Sequence, residues 1–327
     1  MKTPDYGLEE LRFESTLGGE GVETDDRVVP LIDLSDFDAN REAIGDALWA
    51  AASEVGFFQL TGHGLSQSDI DEAFALSEQF FALPEAKKAD CALKPGLNAG
   101  WEFRTQKRPS TGTLDQKESY QITRPHMADI WPASLPEFQP RLLAFERACW
   151  TLGMQVLSCL AQRLGFEADF FTQAHDWRQP DYQSTLRLLH YLPLANADTG
   201  PGIWRAGAHT DFDCLTMVFQ RTGQGGLQLC PGKDAQGQQA WTSVEARDGI
   251  ITCNIGDMLM RWSDDRLKST LHRVRMPRDD EDRGARYSMA FFCQANRDVL
   301  IEGPQAKYPP ITAADYLQQR IAANFRA

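Results

Sequence analysis

The sequence has little of what marks membrane, secreted or nucleic-acid-binding proteins. No apolar run reaches about 18 residues, the length that a membrane-spanning helix needs. The opening stretch, MKTPDYGLEELRFEST, has acidic residues where a secretory signal peptide needs an apolar core. From these two absences we expect a cytoplasmic protein with no membrane partner.

Basic residues are also under-represented. The 327 residues include 33 Lys and Arg against 46 Asp and Glu, a formal net charge of −13. Because the averaged surface field of such a chain repels polyanions, we expect no nucleic-acid partner. A small-molecule substrate is more compatible with this charge. Neither the charge nor the composition predicts an oligomeric state.

Paired cysteine motifs are missing too. The seven cysteines form no Cys-x-x-Cys pair, are odd in number and lie mostly inside apolar segments. This pattern predicts reduced thiols in the core and argues against a disulfide framework or a cysteine zinc site.

The first half of the chain is predicted to be largely helical. Apolar residues recur at helical spacing over 39–55 and again from about Pro140 to Leu164, and Ser66 opens a further helix with a capping-box arrangement. Residues 94–140 are rich in Pro, Gly, Trp and charge with no sustained period, as in functional lids or disordered segments. We therefore expect a helical cover region over 26–183 that includes a lid at 94–140.

The second half has the pattern of a β-sandwich or barrel. Eight strand-like runs separated by Gly, Asp and Pro turns follow residue 184. The runs are TLRLLHYL, CLTMVFQ, GLQLC, AWTSV, GIITCN, DMLMRW, STLHRVRM and ARYSMAFFCQ. We predict a single α+β domain over 1–327, with a β core at 184–300 and a C-terminal segment at 301–327 that ends in a helix.

Two histidines and one carboxylate give the clearest indication of chemistry. His209 and Asp211 stand two apart in AGAHTDFDCLTMVF and face the same side of a strand or its end, and His272 follows in STLHRV. Two histidines and a carboxylate match the facial triad of a non-heme Fe(II) site, which leaves three coordination positions open. The alternative is a hydrogen-bonded pair of His209 with Asp211 and an ordinary edge-strand histidine.

A nearby arginine favours the metal interpretation. Arg286 and Ser288 share one face of the otherwise apolar run ARYSMAFF. A buried guanidinium requires a partner, and its forked donors suit a carboxylate. We therefore infer an anionic ligand close to the metal.

These segments resemble a known family. GAHTDFDCLTMVFQ, GGLQL, NIGDMLMRWSDDRLKSTLHRV and RYSMAFF together resemble the isopenicillin N synthase-like family of Fe(II)/2-oxoglutarate-dependent dioxygenases, and GFFQLTGHG and KESY extend the match over nearly the whole chain. The resemblance implies a double-stranded β-helix, the cupin-like jelly roll, flanked by N-terminal and C-terminal helices. It also implies Fe(II), 2-oxoglutarate as co-substrate, dioxygen, and oxidation, mostly hydroxylation, of a C–H bond in a small metabolite.

The resemblance assigns roles to individual residues. The implied iron ligands are His209, Asp211 and His272. Arg286 and Ser288 are implied to hold the distal carboxylate of 2-oxoglutarate, together with Tyr191. Many plant members have Asn where this chain has Leu189, which removes one polar contact. Because Asp211 retains the carboxylate that related halogenases replace with a small residue, we expect oxidation and not halogenation.

The substrate is expected near the lid, which resembles the segment that covers the active-site mouth in relatives. The candidate substrate-contacting residues are Trp101, Tyr120, Gln121, Arg124 and Phe292. For each there is a plain alternative, since aromatic residues more often belong to a core and arginines to a solvated face. The local surplus of basic residues suggests a substrate with a carboxylate or phenolate.

Two other functions remain open at this point. An oxidase of the isopenicillin N synthase type keeps the triad and the Arg-x-Ser pair but does not use 2-oxoglutarate. A cupin-like protein holding zinc without redox chemistry would also use His and Asp ligands. Arg286 and Ser288 argue against the second, because a structural metal does not need them.

Overall fold

Two sheets packed face to face form the centre of the molecule. The computed structural model describes residues 20–25, 27–107, 112–231 and 239–325. The eight central strands are β6 (Thr185–Tyr191), β7 (Ala206–His209), β8 (Leu215–Phe219), β9 (Leu227–Cys230), β10 (Ala240–Ser243), β11 (Ile251–Ile255), β12 (Leu271–Val274) and β13 (Arg286–Cys293). They run in the order β11-β8-β13-β6 in one sheet and β10-β9-β12-β7 in the other. All these neighbours pair antiparallel, so the predicted double-stranded β-helix is confirmed.

Strands from the first half of the chain widen both sheets. These strands are β1 (Val22–Glu23), β2 (Leu31–Asp33), β3 (Phe57–Thr61), β4 (Gly100–Phe103) and β5 (Lys117–Ile122). The larger sheet runs β2-β3-β11-β8-β13-β6-β5-β4, and β1 joins β10 in the smaller one. The stretch 94–140 was predicted to be an irregular lid, but it contributes β4 and β5 to this sheet. The β4–β5 hairpin pairs with β6, so the larger sheet joins strands from both sides of residue 184.

Seven α-helices surround the sheets in the described ranges. They are α1 (Phe37–Glu54), α2 (Gln67–Phe81), α3 (Glu85–Ala89), α4 (Phe138–Leu164), α5 (Phe170–Ala174), α6 (Asp257–Trp262) and α7 (Ala313–Phe325). A short β14–β15 hairpin (Leu300–Ile301 and Ile311–Thr312) precedes α7. The hydroxyl of Ser66 accepts a hydrogen bond from the backbone N–H of Asp69 at 3.1 Å, so the predicted cap of α2 is present.

One predicted strand was wrong. The run DMLMRW alternates weakly, but it forms the single-turn helix α6, with Gly256 as its N-cap. A Cβ at Gly256 would lie 2.2 Å from the backbone oxygen of Asp213, so only glycine fits this close approach between the two segments. This close approach to Asp213 at the start of α6 is not visible in the local pattern.

The alternation of side chains along the larger sheet separates two environments. Residues such as Phe58, Met217 and Phe291 face outward and join the main core beneath the helices. Residues such as Phe57 and Leu189 face inward, toward the smaller sheet. The residues of the predicted His-Asp-His cluster and Arg286 lie between the sheets, on this inward side.

Two composition-based expectations can be compared with the described residues. All seven cysteines are buried and none is in a disulfide, as expected for core thiols. Among the described helices, none combines the length and the apolar composition required to cross a bilayer.

Candidate metal centre

The three residues of the predicted triad come together at one end of the space between the sheets. His209 is the last residue of β7, and His272 lies directly opposite it on the antiparallel strand β12. Asp211 follows β7 by two residues. The Nε2 atoms of His209 and His272 lie 3.9 Å and 3.6 Å from the carboxylate of Asp211, and one ligand atom from each residue falls within 4.8 Å of the other two.

Backbone carbonyls orient both imidazole rings. The Nδ1–H of His209 donates to the carbonyl of Gly207 at 2.7 Å, and that of His272 donates to the carbonyl of Thr270 at 3.1 Å. A carbonyl can only accept, so each of these bonds places the ring proton on Nδ1 and leaves the Nε2 lone pair facing Asp211. Carbonyl partners of this kind set the tautomer of metal-binding histidines.

Two side chains of the larger sheet hold the carboxylate. The Oδ2 atom of Asp211 accepts from the Thr216 hydroxyl at 2.6 Å and from the Asn254 amide at 2.8 Å. Thr216 on β8 and Asn254 on β11 are paired across the sheet, so both side chains face inward at the same level. These bonds orient Oδ1 toward His209. Neither residue was predicted from the sequence, although each is a polar residue at an inward position of an apolar strand.

A second layer of buried charge lies behind the triad. Burial and the neighbouring charge of Asp211 raise the pKa of Asp213 well above its usual range. Burial also raises the pKa of Asp257, and Arg320 opposes this by pairing with its carboxylate. Arg320 comes from α7, so the C-terminal helix contributes a cation to this layer.

The predicted anion clamp is buried and organised. Arg286 is 2% exposed, and its Nε donates at 2.9 Å to the carbonyls of both Gln224 and Gly225. Its Nη1 lies 3.4 Å from the Ser288 hydroxyl, and the guanidinium lies 4.6 Å from the centre of the Tyr191 ring. The two carbonyls fix the Nε edge of the fork, so the Nη edge lies beside Ser288 and Tyr191. Burial lowers the pKa of Arg286.

Apolar side chains line the space around the triad and the clamp. Leu189, Leu229 and Val274 belong to one buried cluster between the sheets. Phe57 joins them, with its ring centre 5.5 Å from that of His272. A polar ligand held in such a low-dielectric space interacts more strongly with the charges at its ends than it would in water.

Two of the predicted substrate residues face the same interior. Gln121 on β5 and Phe292 on β13 share the inward side of the sheet with Tyr191. Arg187 on β6 connects them, because its Nη2 donates to Gln121 Oε1 at 2.6 Å and its guanidinium lies 5.1 Å from the Phe292 ring centre. Arg187 adds a cation to this wall, and its charge interacts with that of the buried Glu102 on β4, which also accepts from Gln121 Nε2 at 3.2 Å.

Tyr120, which was predicted to contact the substrate, lies on the opposite face of β5 from the space between the sheets. Tyr120 and Gln121 are neighbours on β5, and strand alternation allows only one of them to face inward. Tyr120 is fully buried under the helices, where its hydroxyl donates to the Ile130 carbonyl at 2.6 Å. It is therefore a core residue.

Trp101 and Arg124, two further predicted substrate contacts, also lie away from the space between the sheets. Trp101 shares the outward face with Tyr120, and its indole N–H donates to Glu118 at 2.7 Å. Arg124 lies beyond the end of β5 and forms an ion pair with the buried Glu146 of α4 at 2.6 Å. This pairing satisfies the charge of Arg124 within the fold, so Arg124 gives no reason to expect an anionic substrate.

A second arginine near the clamp was missed. Arg205 immediately precedes β7, is 4% exposed and donates to the Gly284 carbonyl at 2.8 Å. Burial and the nearby charge of Arg286 lower its pKa to about 10. Both arginines border a cavity of about 310 Å³ at this end of the barrel. No local pattern singled out Arg205, because its proximity to Arg286 depends on the fold.

Comparisons with known proteins agree with this geometry. Residues 29–141 match the family described as non-haem dioxygenase in morphine synthesis N-terminal, and residues 182–295 match the 2OG-Fe(II) oxygenase superfamily. The chain is 32% identical to the proline hydroxylase buaE of Petromyces alliaceus, over 91% of this chain and 99% of that protein. It is also 32% identical to the 2-oxoglutarate-Fe(II) type oxidoreductase hxnY of Emericella nidulans, over 88% of each chain.

A solved structure is similar over the same length. A full-length Neurospora crassa protein, crystallised in complex with alpha-KG and thymine, has a TM-score of 0.79 and 30% sequence identity, and the match covers 93% of this chain and 99% of that one. Together with the inward-facing His-Asp-His cluster, these matches show that the chain belongs to the 2OG-Fe(II) oxygenase superfamily and is an Fe(II)/2-oxoglutarate-dependent dioxygenase, as the sequence predicted.

Proposed function

We propose that His209, Asp211 and His272 are the iron ligands of this dioxygenase. The observation that carries the proposal is the convergence of two Nε2 atoms and one carboxylate, each oriented by a hydrogen bond on its far side. Two imidazoles and one carboxylate are the donor set that suits Fe(II) in oxygenases. When bound there, iron supplies the activation of dioxygen that is coupled to conversion of 2-oxoglutarate to succinate and CO2.

The chain's own residues then have three tasks. The carbonyls of Gly207 and Thr270 hold the ring proton on Nδ1 and fix the orientation of both imidazoles. Thr216 and Asn254 keep Oδ2 of Asp211 engaged, so that Oδ1 faces His209. The apolar walls exclude water from the reacting atoms, which limits side reactions.

We propose that Arg286, Ser288 and Tyr191 bind the distal carboxylate of 2-oxoglutarate. The buried Nη edge of Arg286 and the Ser288 hydroxyl offer donors on the inward side of β13, and Tyr191 lies opposite Arg286 on β6. A dicarboxylate with one end at this fork would have its other end toward the triad. The family match and the names of the relatives support this interpretation over an oxidase without 2-oxoglutarate or a zinc-binding cupin.

The substrate is proposed to bind against Gln121 and Phe292 and to be hydroxylated. These residues and Arg187 form a wall that combines an aromatic face, an amide and a cation. Such a wall suits a small polar molecule that presents a hydrogen-bond acceptor. The proline hydroxylase relative and the thymine-bound Neurospora crassa protein act on or bind molecules of this size. We also propose that the whole chain is a single domain, because strands from both halves share the larger sheet.

Spectroscopy of the anaerobic Fe(II) protein tests the ligand assignment. Addition of 2-oxoglutarate is expected to produce a weak visible charge-transfer band, and succinate is expected to form when air is admitted with substrate. Asp211→Ala should abolish the band through loss of iron, whereas the exposed control Asp38→Ala should retain it. A full band in Asp211→Ala would overturn the ligand assignment.

A further inference from the structure

We propose that Arg320, on the C-terminal helix α7, is a positioning residue for the metal-binding segment 209–211. This inference rests on the proposed function, since it takes His209 and Asp211 as metal ligands. It adds a distant element of the chain to the metal centre and makes metal affinity depend on the docking of α7.

The contacts of Arg320 converge on the segment that carries two of the three ligands. Its side chain is fully buried, and its Nη2 pairs with the carboxylate of Asp257 and donates to the Thr210 hydroxyl at 3.1 Å. The Thr210 hydroxyl in turn donates to the same Asp257 oxygen at 2.9 Å. Thr210 is the residue between His209 and Asp211, so this triangle of contacts holds the backbone between the ligands.

Further contacts hold the chain at Asp211 and at the residue that follows it. The backbone N–H of Asp257 donates to the Asp211 carbonyl at 2.8 Å. The Arg320 guanidinium lies 4.8 Å from the centre of the Phe212 ring. Three consecutive residues, Thr210 to Phe212, are thus held by Asp257 and Arg320, while the side chain of Asp211 remains directed to the metal position.

Charge explains why an arginine is needed. Asp257 is 1% exposed, and a buried carboxylate without a cation is strongly unfavourable. Without Arg320, the Asp257 carboxylate would lose its ion-pair partner and move toward water, and this movement would disturb its bonds to Thr210 and Asp211. Metal affinity would fall because the backbone that carries His209 and Asp211 shifts, although the ligands themselves are unchanged. Partners of this indirect kind typically contribute about ten- to hundredfold to metal affinity.

The coupling must also run in the opposite direction. If docking of α7 strengthens metal binding, metal binding must strengthen docking of α7 by the same factor. Metal addition should therefore slow amide hydrogen exchange in the helix Ala313–Phe325, although no residue of this helix is a proposed ligand.

Titration of the apo protein with Co(II), followed by its visible absorption, tests the proposal without turnover. Arg320→Met is expected to raise the Co(II) dissociation constant about ten- to hundredfold, and Arg320→Lys, which keeps the charge, should recover part of the loss. Arg124→Met is the matched control, because it removes an arginine from another buried carboxylate, Glu146, on the helix-covered face. It should bind Co(II) within about twofold of the unaltered protein, a difference well under the roughly 1.4 kcal/mol of a tenfold change.

A folded Arg320→Met protein with an unchanged dissociation constant would overturn the proposal, as would an Arg124→Met protein weakened as much as Arg320→Met. If Arg320→Met does not fold, two other measurements test the proposal. They are Co(II) binding by Thr210→Val and hydrogen exchange of the unaltered protein. Weaker Co(II) binding by Thr210→Val and metal-dependent protection of α7 would support the proposal, and absence of both would refute it. Asp211→Ala separates the two hypotheses: if it still binds Co(II) tightly, the ligand assignment itself fails, whereas normal binding by Arg320→Met alone refutes only the role of α7.

Discussion

Replacing Arg286 with leucine should weaken 2-oxoglutarate binding while the metal remains bound. The change removes the fork-shaped donor on the inward side of β13 and leaves the triad, on β7 and β12, intact. Hydrogen bonds to a charged group contribute about 1.5–3 kcal/mol, and about 1.4 kcal/mol corresponds to a factor of ten. The apparent KM for 2-oxoglutarate should therefore rise by about tenfold to somewhat more than a hundredfold.

The same substitution should also lower stability. The Nε of Arg286 donates to the carbonyls of Gln224 and Gly225, and a buried acceptor that loses its donor costs about 1–3 kcal/mol. Since both carbonyls are only partly shielded and can turn to water, we expect the low end of this range. Arg286→Lys keeps the charge but not the fork, so its constant should fall between those of the leucine variant and the unaltered protein.

The assay is the initial rate of succinate formation against 2-oxoglutarate concentration at saturating Fe(II), with Co(II) affinity measured in parallel. Arg275→Leu is the matched control, because Arg275 borders the same cavity but pairs with Glu281 at 2.6 Å. Its constant for 2-oxoglutarate should stay near that of the unaltered protein. An unchanged constant in a folded, metal-loaded Arg286→Leu protein would show that the clamp has been assigned to the wrong residue.

Two further predictions concern metal affinity and acid stability. Asn254→Ala removes one of the two donors to Oδ2 of Asp211, so the Co(II) dissociation constant should rise about ten- to hundredfold; equal affinity would mean that the amide does not orient the carboxylate. His175 is fully buried beside the Phe171 carbonyl, and burial lowers its pKa from 6.5 to about 4. Between these two values the unfolded chain takes up a proton that the folded protein does not, so stability should fall by about 3 kcal/mol as the pH drops from 6.5 to about 4. Urea unfolding at both pH values should show a shallower loss for His175→Gln, and an identical loss would exclude His175 as its source.

Much of the site could be predicted because its signals are local. The spacing of His209 and Asp211 places both residues at one strand end, and the alternation of Arg286 with Ser288 places both on one face. Turn residues between short apolar runs likewise indicated a β core, and most of those runs form central strands. Period, spacing and turn chemistry are properties of neighbouring residues, so they can be read without knowing the fold.

The residues that were missed, and those that lie elsewhere than predicted, depend on partners far along the chain. Thr216 and Asn254 support Asp211 only because β8 and β11 pair, and Arg320 reaches Thr210 only because α7 packs behind the metal-binding segment. The choice between Tyr120 and Gln121 depends on which face of β5 the helices cover.

By itself, the sequence determined that a β core would carry a His-Asp-His cluster and a cationic fork. Only the tertiary structure decided which side of each strand faces the reaction space and which distant side chains hold the ligands in place. The physical reason is that hydrogen bonds and ion pairs between distant segments arise only when the sheets and helices pack, and no local pattern specifies them.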